Sequence, residues 1–393
     1  MPPHGSAPPT ASHAPDPLLV RLGVRYFEAL SREATRRESA DAVHVLNDEE
    51  RNALRRVERG AVLRAAIAGA VSTAIAAAIE VRVAQPLLDA RGAHATFEDE
   101  VRFWAVVGAA TVVTSALEIL FLYWDGLRAV HRLSHEAGLD LFAERDENKA
   151  LAGAMARAAL ELPNPTIRLF GVDPRREASR LRLVVASIVY KLKISVSNFL
   201  VKALVRRVLG RALVRSWLPF VAVPVTAAWN AVVCWLIMRE ARIRAMGPSA
   251  AREMVDLVLP EGAPLSREAR ITAVRAVASS IVRTEDLHPN LAAFFLEVAR
   301  RVGEKEIAGE QDLDDTAVFL ERIARLDGGE QAFVLRVLAI ASIIDGRLTR
   351  REKGLLAEAH AACGRRHDLG PVERLRRAFV EGAPIPAVQI ANL

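Results

Sequence analysis

The sequence predicts an all-α protein: an integral membrane helical hairpin, helices at the membrane interface and a cytoplasmic helical bundle. Three observations carry this. Alanine, leucine, valine and arginine dominate, and few stretches alternate as half-buried strands must. Hydrophobic residues make up 51% of the chain and mean hydropathy is +0.17, which is more apolar than most soluble proteins. Arginine gathers beside the apolar stretches and is bracketed by acids along helices. That pattern fits cytoplasmic loops and anionic lipid headgroups, so the net charge of +6 implies no nucleic-acid partner.

Residues 1–17, rich in Pro, Ala and Ser, have neither a basic start nor an apolar core; they read as a disordered tail and not as a signal peptide. Residues 18–59 read as amphipathic cytoplasmic helices. The first repeats Leu18, Leu22, Tyr26 and Leu30 at helical spacing. The second starts near Asn47 or Asp48, residues that cap helices, with Glu49 and Glu50 suited to a helix N-terminus.

Residues 60–125 form the predicted two-span transmembrane hairpin. Its first span, 61–79, carries one charge, Arg64. The small residues Ala66, Ala70, Ala74 and Ala78 recur every fourth place, spacing that lets another helix, including a second copy of the chain, approach closely. The second span, 103–124, has Trp104 at one end and Tyr123 and Trp124 at the other, as an aromatic belt requires. Arg51, Arg55, Arg56 and Arg59 precede the first span, and Arg128 and Arg132 follow the second. The positive-inside rule therefore places both flanks, and both termini, in the cytoplasm. Glu118 lies inside the second span, where an acid needs a partner or water. We expect it to pair with Arg64; a proton or ion path through Glu118 is the alternative.

Residues 126–246 form a membrane-associated helical region. Lys191, Lys193 and Lys202 interrupt the apolar face of 181–216, so an amphipathic helix at the interface is expected there. Residues 217–238, WLPFVAVPVTAAWNAVVCWLIM, carry no charge yet are flanked by arginine on both sides. Pro219 and Pro224 disfavour helix just before them, so a re-entrant turn built on Pro219, Pro224 and Asn230 is expected. A third span or a core helix remain open. Leu218, Pro219, Asn230 and the basic exit from Arg239 to Ala245 resemble the EcsC type of bacterial membrane-associated protein over about 200–245. Positions after the proline that carry glycine in that family are Val and Pro here.

Residues 247–380 read as a bundle of five or six short helices divided by turn signals such as LPEGAPLS and LDGGEQ, with 381–393 as a tail. Asp345, Gly346, Leu348 and Glu352 resemble the TerB type of domain over about 250–375. That resemblance implies a stress-response complex at a bacterial inner membrane and a divalent metal held by Asp345 and Glu352. The residues alone also allow Gly346 as a helix cap and Thr349 with Glu352 as a capping box.

No G-x-S-x-G, P-loop, Rossmann glycine pattern or H-E-x-x-H occurs. Cys234 and Cys363 lie far apart and define no disulfide framework. His131 and His135, at i and i+4, would supply half a metal site at most. The expectation is a non-enzymatic membrane-anchored scaffold, partnered by the lipid bilayer and by proteins docked on the bundle. A transporter or channel component using Glu118 is the alternative, and a metalloenzyme comes third.

Overall fold

A computed structural model describes residues 17–33, 45–86, 96–139, 141–142, 146–165, 168–177, 218–307, 309–391 and 393. The expected N-terminal tail (1–16), the loop between the first two spans (87–95) and the interfacial segment (181–216) lie outside the described residues. The described residues are helical, with no strand and one isolated bridge between Leu169 and Val172. The helices fall into two units: Ala53–Leu133 with Ser179–Glu240, and Met1–Asn52 with Ser134–Ala178 and Ala241–Leu393.

The first unit is built on three long helices. Helix α2 (Asp48–Ile79) starts where the caps predict: Asn47 Oδ1 accepts from Glu50 N and Glu50 Oε2 from Asn47 N, both at 2.9 Å. It ends in a π-helical turn, Glu80–Ala84. Helix α3 spans Phe97–Glu136 and helix α5 spans Leu218–Val258. All three are long and apolar enough to cross a membrane.

Their side chains are sorted opposite to those of a water-soluble bundle. Leu63, Ile67, Val71 and Ile75 on α2 are exposed, as are Val112, Val113, Leu117 and Leu120 on α3 and Val232, Trp235 and Leu236 on α5. Polar Ser72, Glu118, Thr226 and Asn230 are buried between them. Water would penalise that arrangement, whereas lipid favours it. Exposed Trp104 and Trp124 on α3 stand twenty residues, or about 30 Å, apart, the thickness of a bilayer's hydrocarbon core.

The expected re-entrant turn is not formed: α5 runs unbroken from Leu218 for 41 residues. Pro219 lies in the first turn, where amide donors have no helical acceptor anyway. Pro224 removes one backbone hydrogen bond without breaking the helix. Asn230 lies in mid-helix.

The second unit is a helical bundle with a water-soluble sort order. It contains α1 (Leu18–Glu33), α4 (Asp146–Ala159), the last part of α5 from Ala241, and then α6 (Arg267–Thr284), α7 (Pro289–Val302), α8 (Glu304–Ile307) and α9 (Thr316–Arg325). Helices α10 (Gly328–Ala341), α11 (Arg350–Ala362), α12 (Gly370–Glu381) and α13 (Ala387–Ala391) complete it. Helix α6 is the centre: it packs against α7, α9, α10 and α11 and is buried from Ile271 to Val282. Its alanines and serines let neighbours approach on every side. The cores of α7 and α9 are Phe294, Phe295 and Phe319.

Two boundaries of the expected domain map move. The bundle begins inside α5, not at residue 247, and draws in earlier segments: Arg244 donates to Ala154 O (2.6 Å) and Asn164 Oδ1 (3.0 Å), and Leu46 N donates to Gly382 O (2.9 Å). The expected tail 381–393 contains α13, whose Ile390 is buried. The sequence misses α8 and α13 because helices of four and five residues carry too little periodicity.

Candidate functional site

The most concentrated chemistry lies between the three apolar helices. Glu118 on α3 is 3% exposed. Its Oε2 accepts from Ser72 Oγ on α2, and its Oε1 accepts from Asn230 Nδ2 on α5 at 2.7 Å. One carboxylate thus joins all three helices through uncharged donors. Asn230 reaches it because α2 carries a glycine at the crossing: a Cβ on Gly69 would stand 2.6 Å from Asn230 Nδ2 and 3.0 Å from the backbone oxygen of Thr226. Any side chain there would push α5 away. The hydroxyls of Thr111, Thr114 and Thr226 turn back onto carbonyls of their own helices.

The expected Arg64–Glu118 pair is replaced by another. Arg64 Nε lies 2.7 Å from Asp125 Oδ1, with Asp125 buried. Register decides this. Ser72 is level with Glu118 on the antiparallel neighbour; eight residues back along α2 is about 12 Å, and seven residues on along α3 is about 10.5 Å. Arg64 therefore arrives level with Asp125, one residue past the predicted end of the second span. Cys234, one turn beyond Asn230, lies in the field of the Arg64–Asp125 pair, so α5 runs parallel to α3.

The face of α2 that packs within the chain lies beside the small-residue stripe. Ala66, Ala70, Ala74 and Ala78 are half-exposed, and the buried face is Ala61, Ala65, Gly69, Ser72, Thr73, Ala76 and Ala77. A close approach within the chain is therefore made at Ala65, Gly69, Thr73 and Ala77, one residue earlier than the stripe.

In the bundle, the residues of the TerB-like motif meet at the turn between α10 and α11. Gly346 has φ +76° and its amide donates to Ile343 O (2.8 Å). Thr349 and Glu352 form the capping box: Glu352 N donates to Thr349 Oγ1 (3.3 Å) and Thr349 N to Glu352 Oε2 (2.7 Å). Glu352 is fully buried, and Oε1, its second oxygen, has no hydrogen-bond partner. Burial, and then the neighbouring Asp345 carboxylate, push its pKa up to about 8. A carboxyl held neutral in this way costs less to bury with one oxygen unpartnered than a charged one would. Asp345 Oδ1 accepts from Arg347 N at 2.8 Å. As a divalent-metal site the pair falls short of a protein-built cage: among the described residues no third acid, histidine or cysteine joins it.

His131 is buried and His135 half-buried, and they too gain no third metal-binding side chain among the described residues. Sequence reasoning missed Ser72 and Asp125, which single positions in apolar runs do not advertise. It also missed Arg275 in the centre of α6. That arginine donates to Asp312 O (2.6 Å) and Gln311 O (2.8 Å) and pairs with Glu310 (3.0 Å), fixing the 310–312 turn on the core. Comparison of the chain with family models, curated proteins and solved structures found no match.

Proposed function

We propose that the chain is a membrane-anchored docking protein, in which α2, α3 and α5 cross the membrane and hold a helical bundle at the inner membrane of a bacterium. The EcsC-like and TerB-like motifs make an envelope or stress-response complex the expected setting. The single observation that carries this reading is the filling of both Glu118 oxygens by Ser72 and Asn230 from the other two helices. A fixed clasp needs such an arrangement, and it makes the spans an anchor. Because α3 and α5 run in the same direction, Glu136 and Glu240 emerge on one side, together with the start of α2, which requires the chain to cross once more between α3 and α5. On that topology the N-terminus and the bundle share the cytoplasmic side, where the bundle's exposed helices meet soluble partners.

The test is a pair of substitutions read by affinity capture and transport assays. Glu118→Gln preserves hydrogen bonding and leaves capture of partners intact, while charge reversals on the bundle surface abolish it. If Glu118→Gln instead stops ion or proton movement in reconstituted vesicles while the fold survives, the docking reading fails. That second reading, a transporter or channel component, has one observation in its favour: Thr111, Thr114, Glu118 and Asp125 are all buried and lie on one face of α3.

A further inference from the structure

One end of the three-helix unit carries a set of arginines that the anchor itself does not use. Arg55, Arg56 and Arg59 on α2 and Arg132 on α3 are exposed, and none has an acidic partner among the described residues. By contrast, Arg51 and Arg64 on the same helix are paired with Asp48 and Asp125 at 2.7 Å. A fifth, Arg128, lies over the ring of Trp124 at 5.5 Å. Trp124 is 45% exposed, as a residue of the membrane interface should be.

Depth along the helix axes places the five together. With the Arg64–Asp125 bridge as the common level, Arg59 and Arg55 lie about 7.5 and 13.5 Å beyond it on α2. Arg128 and Arg132 lie about 4.5 and 10.5 Å beyond it on α3. That is the headgroup layer next to the aromatic belt. The opposite end of α3 is different: Glu98 and Glu100 are exposed, and Arg102 is neutralised by Glu98 at 3.0 Å.

We propose that Arg55, Arg56, Arg59, Arg128 and Arg132 form a collar that binds the phosphates of anionic phospholipids. Guanidinium groups match phosphate oxygens in fork geometry, and the cation–π contact holds Arg128 at the depth where those oxygens lie. The collar selects phosphatidylglycerol-type headgroups over zwitterionic ones and fixes which leaflet this end occupies. It rests on the membrane reading above.

The test is quenching of the tryptophans of the full-length chain in vesicles containing brominated phosphatidylglycerol or brominated phosphatidylcholine. The expected result is preferential quenching by the anionic lipid, at several-fold higher relative affinity. That preference falls toward one in Arg55→Gln/Arg56→Gln/Arg59→Gln/Arg132→Gln and shrinks as salt is raised. These positions are exposed, so the variant keeps its fold, and Trp124 stays as reporter. Equal quenching by both lipids in the native chain overturns the collar and leaves the anchor standing. Quenching by neither lipid overturns the membrane reading, and the collar with it.

Discussion

A carboxylate buried among apolar helices must have its lone pairs met by protein, because lipid offers no donor. Glu118 meets that demand with Ser72 and Asn230. Replacing it by Gln keeps an acceptor for the Asn230 amide and turns the other oxygen into a donor that the Ser72 hydroxyl can accept, whereas Leu leaves the Asn230 amide buried without this acceptor. Glu118→Leu is expected to cost about 1–3 kcal/mol, measured as a lower midpoint of thermal unfolding in detergent. Glu352 makes a different residue-scale prediction. Its folded pKa of about 8 lies above the ordinary value of 4.5, so the folded state holds a proton that the unfolded state releases. Its contribution to stability is therefore present at low pH and is lost as pH rises from about 4.5 to about 8, with no further change above. Unfolding midpoints of Glu352→Gln should show a shallower decline across that window than those of the native chain.

At the scale of elements, small residues and caps decide what meets what. Gly69 sets the distance between α2 and α5, and Gly69→Val should separate them at a cost of about 1–3 kcal/mol. If α2 and α5 remain in contact by cysteine cross-linking in that variant, the close approach is not the determinant. Thr349 starts α11 through a reciprocal cap, and Thr349→Ala should lower bundle stability by about 1 kcal/mol. These devices differ in how visible they were. The Thr349 and Glu352 cap could be read from spacing, since both partners lie within one turn. The crossing at Gly69 could not, because the alanine repeat beside it has the same spacing and a one-residue offset turns the face by about 100°. The re-entrant turn failed for a related reason: proline near a helix start removes donors that the first turn never uses.

At the scale of the molecule, the parallel course of α3 and α5 fixes a topological pattern. Reporter fusions after residue 137 and after residue 259 should report the same side, and a fusion after residue 92 the opposite one. A fusion after 259 on the side of 92 would mean that α5 does not run parallel to α3 across the membrane. Composition and periodicity were enough for the all-α class, for the positions of the three apolar helices and for the start of α2. These follow from local propensity, run length and near-neighbour capping, which act within a few residues. The sequence also presented Arg64, Glu118 and Asn230 as the polar residues that needed explaining. Only the tertiary structure decided their partners: Arg64 with Asp125, and Glu118 with Ser72 and Asn230. Pairing across helices depends on register, and register is set by the packing of whole helix faces rather than by any one residue's neighbours in the chain. The same reason places residues 46, 154 and 164 in the bundle with 241–393. Hydrogen bonds between distant segments hold them there, and no local pattern records those bonds.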